Sequence, residues 1–256
     1  MTAMFRLDGR TALVTGGAHG LGRMIAEALL QAGARVIITS RSNAEAAALE
    51  MATFGPCEGI DADLSTSAGA VALADAVKAR VEALHVLVNN AGRTWGAPLD
   101  AYPDQAWDAV MPINVQAPFT LIRDLLPVLE AAGTATDPAR ILNIGSIAGN
   151  SVHRLSAYAY TASKAALHHL TRELASDLAR RHIAANIIVP GWFPTDMTAE
   201  VRADEELTRA TIRKIPFARF GTAAEIGSVA VFLSSPAAAY ITGAEIPVDG
   251  GISGCR

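Results

Sequence analysis

The sequence predicts an α/β protein of the doubly wound kind, with one seven-stranded parallel sheet and helices on both faces. Short β-branched runs alternate with longer Ala- and Leu-rich segments along the whole chain, and strand–helix alternation builds right-handed βαβ crossovers. The strand candidates are apolar without period-two alternation, the pattern of strands covered on both faces. Apolar residues make up 51% of the 256 positions, enough to bury a large core.

In chain order the expected strands fall at residues 11–14, 35–39, 59–62, 86–89, 140–144, 185–189 and 246–248. Helical stretches lie between them at 21–31, 44–51, 67–81, 104–129, 156–181 and 223–233. No composition shift, linker or fixed-period repeat divides the chain, and residues 133–138 read as a surface turn. The expectation is a single domain over 1–256 with one departure from its rhythm, residues 191–216. That excursion opens Gly191-Trp-Phe-Pro194 and closes Ile215-Pro-Phe217; insertions of this length are often lids over a substrate.

Net charge is −4, and no basic cluster exceeds Arg180-Arg181, which argues against an electrostatic nucleic-acid footprint. Cys57 and Cys255 form neither a metal spacing nor a disulfide framework. The N-terminus lacks an apolar signal region, and no apolar run is long enough to span a bilayer. These features predict a soluble cytoplasmic protein with no metal, membrane or nucleic-acid partner.

The first strand runs into Thr15-Gly-Gly-Ala-His-Gly-Leu-Gly22 and then a helix. In that context Gly16 supplies the tight turn, Gly20 a close backbone approach to pyrophosphate, and Gly22 close helix–strand packing, with Leu21 opening the helix. Unpaired N–H groups at the helix start favour an anion. An ordinary structural turn would use the same glycines. After the second strand, Ser40 and Arg41 stand where an acidic residue would select NAD(H). Arg41 can pair with a 2′-phosphate, His19 and Arg23 can add positive charge, and NADP(H) is the expected cofactor; otherwise Arg41 simply solvates a loop end.

Asp63-Leu64 and Asn89-Asn90-Ala91-Gly92 follow the third and fourth strands, at the carboxyl ends where ligands of open α/β sheets sit. Asp63 suits an adenine amino group or an N-cap. Asn90, Ala91 and Gly92 suit a ribose or a tight turn equally.

Tyr160 and Lys164 stand one helical turn apart on a common face. A free tyrosine has a pKa of about 10; the Lys164 ammonium beside an oxidised nicotinamide would lower it and make Tyr160 a proton donor to a carbonyl oxygen. Tyr158 lacks a matching lysine, since Ala162 holds that place. Ser146, just after the fifth strand, can bond the substrate oxygen, or cap a loop. Asn114, mid-helix where asparagine is a mediocre former, can hold a water that links Lys164 to solvent, or be a satisfied core amide.

Together these residues resemble the short-chain dehydrogenase/reductase family over nearly the whole chain. The resemblance implies a Rossmann-type domain and a catalytic tetrad of Asn114, Ser146, Tyr160 and Lys164, with the last two also touching cofactor. It implies that Pro190-Gly191-Trp-Phe-Pro-Thr195 holds the nicotinamide carboxamide, and that Tyr240-Ile-Thr-Gly243 and Val248-Asp-Gly-Gly251 are its C-terminal signature. It further implies a homotetramer paired through residues 104–129 and 156–181 and through the C-terminal strand. Within the family the sequence looks most like bacterial NADPH-dependent 3-oxoacyl reductases of the rhamnolipid-associated kind; His19 departs from their usual Lys or Arg. Trp95, Val152, Leu155, Trp192, Phe193, Met197, Ile212, Ile215 and Phe217 either clothe an acyl chain or seat the excursion. His153, Arg154 and Arg202 either meet an anionic carrier or solvate the surface, and His168-His169 read as structural. The alternatives to a ketoreductase are an alcohol, sugar-alcohol or steroid dehydrogenase, and a nucleotide-sensing protein without turnover.

Overall fold

The computed structural model describes residues 3–153 and 155–255. Seven strands form one parallel sheet: β1 (Thr11–Thr15), β2 (Arg35–Ser40), β3 (Cys57–Asp61), β4 (Val86–Asn89), β5 (Ala139–Ile144), β6 (Ile183–Pro190) and β7 (Glu245–Val248), in the order β3-β2-β1-β4-β5-β6-β7. The chain winds outward from β1 to β3, then returns to β4 on the other side of β1. That reversal opens a crevice at the carboxyl ends, where such sheets hold ligands.

The strands look uniformly apolar because each face has its own helices. Ala12, Val14, Val36, Ile38, Val88 and Leu142 pack under α1 (Gly20–Gln31), α2 (Ala44–Met51) and α9 (Ala223–Ser234). The intervening Leu13, Ile37, Leu87, Ile141 and Ala185 pack under α3 (Ser67–Lys78), α5 (Ala117–Ala132) and α6 (Tyr158–Leu178). Period-two geometry sends alternate side chains to opposite faces, and both faces are buried.

Two segments differ from expectation. The stretch 104–129 is not one regular helix: α4 (Gln105–Met111) meets α5 through a π-helical turn, Pro112–Gln116. Pro112 and Pro118 lack N–H donors, so the α pattern cannot close across this stretch, and the Ala117 N–H bonds the Pro112 carbonyl instead. The excursion after β6 holds two short helices, α7 (Ala199–Ala203) and α8 (Glu205–Ile212), the latter capped by Asp204 on the N–H groups of Glu206 and Leu207. Among the described residues no helix is long and apolar enough to cross a membrane.

Candidate active site

The carboxyl ends of β1, β2, β4 and β5 open into a cleft of about 460 Å³. Gly16, His19, Gly20 and Leu21 form one wall, Ser40, Arg41 and Leu64 another, and Asn90, Ala91, Gly92, Tyr160, Lys164 and Thr195 the rest. Gly16 (φ 63°) and Gly20 (φ 57°) are left-handed, a conformation glycine adopts without strain. At Gly22 a Cβ would stand 2.2 Å from the Gly16 carbonyl oxygen and 2.4 Å from Asn90 Nδ2, so the helix can approach the turn only because no side chain intervenes. His19 gives α1 no side-chain cap, which leaves the first N–H groups of α1 for an anion. With Arg41 nearby, this wall fits a phosphate-bearing dinucleotide.

Asn90 latches the cleft together. Its Nδ2 donates to the carbonyls of Thr15 (2.8 Å) and Gly16 (3.2 Å), and Thr15 Oγ1 accepts the N–H groups of Asn90 (2.9 Å) and Ala91 (3.0 Å). The asparagine amide is spent on the glycine turn; a ligand meets its neighbours.

At the inner end, α6 presents Tyr160 and Lys164 side by side, with Lys164 Nζ 5.7 Å from the phenol ring centroid. Nζ donates to the Ile144 carbonyl at 2.7 Å, and burial pushes the ammonium down to about 8. Ser146 Oγ accepts the Ala148 N–H at 3.1 Å, leaving its own hydrogen for the Tyr160 phenol, with which it bonds. Burial pushes that phenol above its ordinary value, and the Ser146 bond pulls it partly back. The lowering expected of Lys164 belongs to the site with an oxidised nicotinamide beside it; the ammonium itself is turned to the Ile144 carbonyl.

Asn114 lies in the π turn and clamps residue 93, its Oδ1 accepting the Arg93 N–H (2.8 Å) and its Nδ2 donating to the Arg93 carbonyl (3.0 Å) and to Ser163 Oγ (2.8 Å). A Cβ at Gly92 would come within 3.2 Å of Asn114 Oδ1 and 3.7 Å of Lys164 Nζ. Gly92 is therefore where Asn114 and Lys164 converge.

Several expected residues stand outside the wall. Asp63 turns Oδ1 to the Ser65 N–H (3.0 Å) and hydroxyl (2.7 Å), and Thr66, not Asp63, caps α3. Pro190 and Gly191 are fixed to β7, with the Gly191 N–H on the Val248 carbonyl at 3.0 Å; of that segment Thr195 reaches the cleft. Arg23 is not free for phosphate, because Glu27 (2.8 Å) and Glu50 (2.7 Å) hold it. Tyr158 packs edge-on against Tyr102 instead of lining the cleft. Phe193 and Ile215 are core residues, which favours the seating role for them, whereas Val152 (84%) and Phe217 (69%) are exposed and Met197 (54%) stands exposed in the cleft wall itself. His153 meets Ser151 Oγ at 2.7 Å, Arg202 donates to the Thr195 carbonyl, and Arg154 lies outside the described residues. Sequence reasoning missed Arg93, Ile113 and Gly145 in the wall; each adjoins a residue it had chosen, so extending the motifs by one position would have found them.

A family model described as enoyl-(acyl carrier protein) reductase matches residues 16–253. The chain is 48% identical over 254 residues to a Pseudomonas aeruginosa rhamnolipids biosynthesis 3-oxoacyl-[acyl-carrier-protein] reductase, covering 98% of this chain and 99% of that protein. It is 39% identical over 253 residues to a galactitol 2-dehydrogenase (L-tagatose-forming) of Cereibacter sphaeroides, covering 97% and 96%. A solved Pseudomonas aeruginosa structure, an RhlG/NADP active-site complex, superimposes with a TM-score of 0.96 at 46% identity, covering 98% of this chain and 99% of that one.

Proposed function

Because this chain belongs to the short-chain dehydrogenase/reductase family, we propose that it is an NADP(H)-dependent oxidoreductase that interconverts a carbonyl and an alcohol. The observation that carries this reading is the convergence of Tyr160, Lys164 and Ser146 at the inner end of a glycine-walled cleft. When bound there, the dinucleotide supplies or takes up the hydride. The start of α1 with Gly16, Gly20, Leu21 and Gly22 would hold its pyrophosphate, and Ser40, Arg41 and His19 its 2′-phosphate. Leu64 would face the adenine end, Ala91 and Gly92 the ribose, and Thr195 the carboxamide; Asp63, Asn90, Pro190 and Gly191 would support these walls from behind.

For the protein's own part, Tyr160 gives its phenolic proton to the carbonyl oxygen as the carbon accepts hydride. Ser146 donates to the same oxygen, where preorganised donors act most strongly as charge develops. Lys164 stabilises the resulting phenolate, and Asn114, close to it at Gly92, backs the path by which the lost proton is replaced.

The substrate class favoured is a 3-oxoacyl thioester. The 48% identity to a 3-oxoacyl reductase supports it, as does the exposed Met197 in the cleft wall, with residues 191–216 as the substrate loop of a single domain. The galactitol dehydrogenase relative supports a second reading, a polyol dehydrogenase. We place the protein in the cytoplasm as a homotetramer. The test is a substrate panel of 3-oxoacyl thioesters, polyols, ketoses and steroids, run with NADP(H) and then NAD(H). Loss of general acid catalysis costs typically 10²–10⁴-fold, so Tyr160→Phe should abolish nearly all turnover while NADPH binding persists. Silence of the native protein across the panel would favour a nucleotide sensor.

A further inference from the structure

Successive turns of α6 face one short stretch of chain. Tyr160 meets the Ser146 hydroxyl, Lys164 meets the Ile144 carbonyl, and His168, one turn further, accepts the Ser146 backbone N–H on Nε2 at 3.3 Å. The His168 side chain is 2% exposed. A backbone N–H can only donate, so Nε2 carries no proton and the ring hydrogen sits on Nδ1. Nδ1 then donates to Asn150 Oδ1 at 2.8 Å, and Asn150 Nδ2 donates to Glu245 Oε2 at 2.8 Å. Arg172 pairs with the same carboxylate. The ring also occupies the space beside two glycines: a Cβ on Gly145 would stand 2.3 Å from Nε2, and one on Gly149 3.0 Å.

We propose that neutral His168 is a positioning residue for the reaction: its Nε2 holds the Ser146 backbone so that the serine hydroxyl points at Tyr160 and the substrate oxygen, and protonation of the ring releases that hold. The inference rests on the oxidoreductase reading above and adds to it a residue and a pH control. A protonated ring would set Nε2–H against the Ser146 N–H, two donors facing each other, and the turn would have to shift. A displacement of about 1 Å in a reacting constellation can cost about 10²-fold.

The groups around the ring oppose that protonation at neutral pH. Burial is the largest influence and holds the imidazole below its ordinary value of 6.5. Lys164 and Arg172, on its own helix, act in the same direction, while Glu245 on β7 acts against them. The neutral Asn150, from the turn after β5, completes the surround. His168 thus takes its proton at a more acid pH than an ordinary imidazole.

The experiment compares native protein, His168→Leu and His168→Gln between about pH 5 and pH 8, on whichever panel compound the native protein turns over, with NADPH affinity read by fluorescence. Leucine removes the acceptor, and kcat should fall about 10–100-fold with NADPH affinity within about twofold. Glutamine reaches the same N–H with an amide oxygen that does not titrate; it should restore most of kcat and lack the native acid limb. A folded His168→Leu protein with native kcat, or a His168→Gln protein that keeps the native acid limb, overturns the inference. Should the leucine variant fail to fold, the glutamine profile decides alone. A native protein inactive on the whole panel overturns the oxidoreductase reading itself, a result distinct from either variant outcome.

Discussion

At the scale of single residues, the candidate site sets a half-buried phenol against a buried ammonium. The Lys164 ammonium, normally at 10.5, is pushed down to about 8 by burial. Its charge is complete below about pH 8 and is lost as pH rises through that value. Reduction measured as kcat/KM, which reports the free enzyme, should therefore decline above about pH 8. Stability should move the other way. Between about 8 and 10.5 the unfolded chain keeps a proton that the folded one has released, so stability rises with pH there. A gap of this size corresponds to about 3 kcal/mol. Urea midpoints at pH 7.5 and 9.5 check it: the native protein should gain on Lys164→Met, and parallel curves would refute the buried-ammonium account. Arg41 makes a second prediction. Hydrogen bonds to charged groups contribute about 1.5–3 kcal/mol, so Arg41→Asp should raise KM for NADPH at least about tenfold and that for NADH little. An unchanged NADPH value would remove Arg41 from the 2′-phosphate site.

At the scale of elements, the site depends on two irregular joints. The β1–α1 turn brings helix and strand together only because residue 22 has no side chain. Gly22→Ala would drive a Cβ into the Gly16 carbonyl and the Asn90 amide. Overpacking of this kind costs typically 1–3 kcal/mol; calorimetry should show a lowered Tm, and titration a weaker hold on NADPH. Native values for both would mean that α1 is free to slide. The π turn between α4 and α5 is the other joint. It aims Asn114 at the backbone of residue 93, and π turns occur often at functional sites. Sequence reasoning singled out Asn114, with a satisfied core amide as its alternative, but drew a regular helix through it. The clue was present in Pro112 and Pro118, yet which carbonyls are left over depends on how α5 docks.

At the scale of the whole molecule, Trp107 (41%) on α4 and Phe119 (44%) on α5 stay exposed. Buried between copies, they would supply the aromatic core typical of obligate interfaces. Light scattering should give four chains of 26.7 kDa, and the double change Trp107→Glu, Phe119→Glu should reduce that mass; a native monomer would refute the tetramer. The chain's order of strands and helices, its glycine turn and its Tyr160–Lys164 pair could be read directly, because each is a local pattern: a period, a turn or one step of a helix. Tertiary packing alone decided that Arg23 is neutralised by Glu27 and Glu50, that burial raises the Tyr160 phenol and lowers the Lys164 ammonium, and that His168 holds Ser146. These depend on desolvation and on partners brought together from distant positions, and neither quantity exists until the sheet has closed around them.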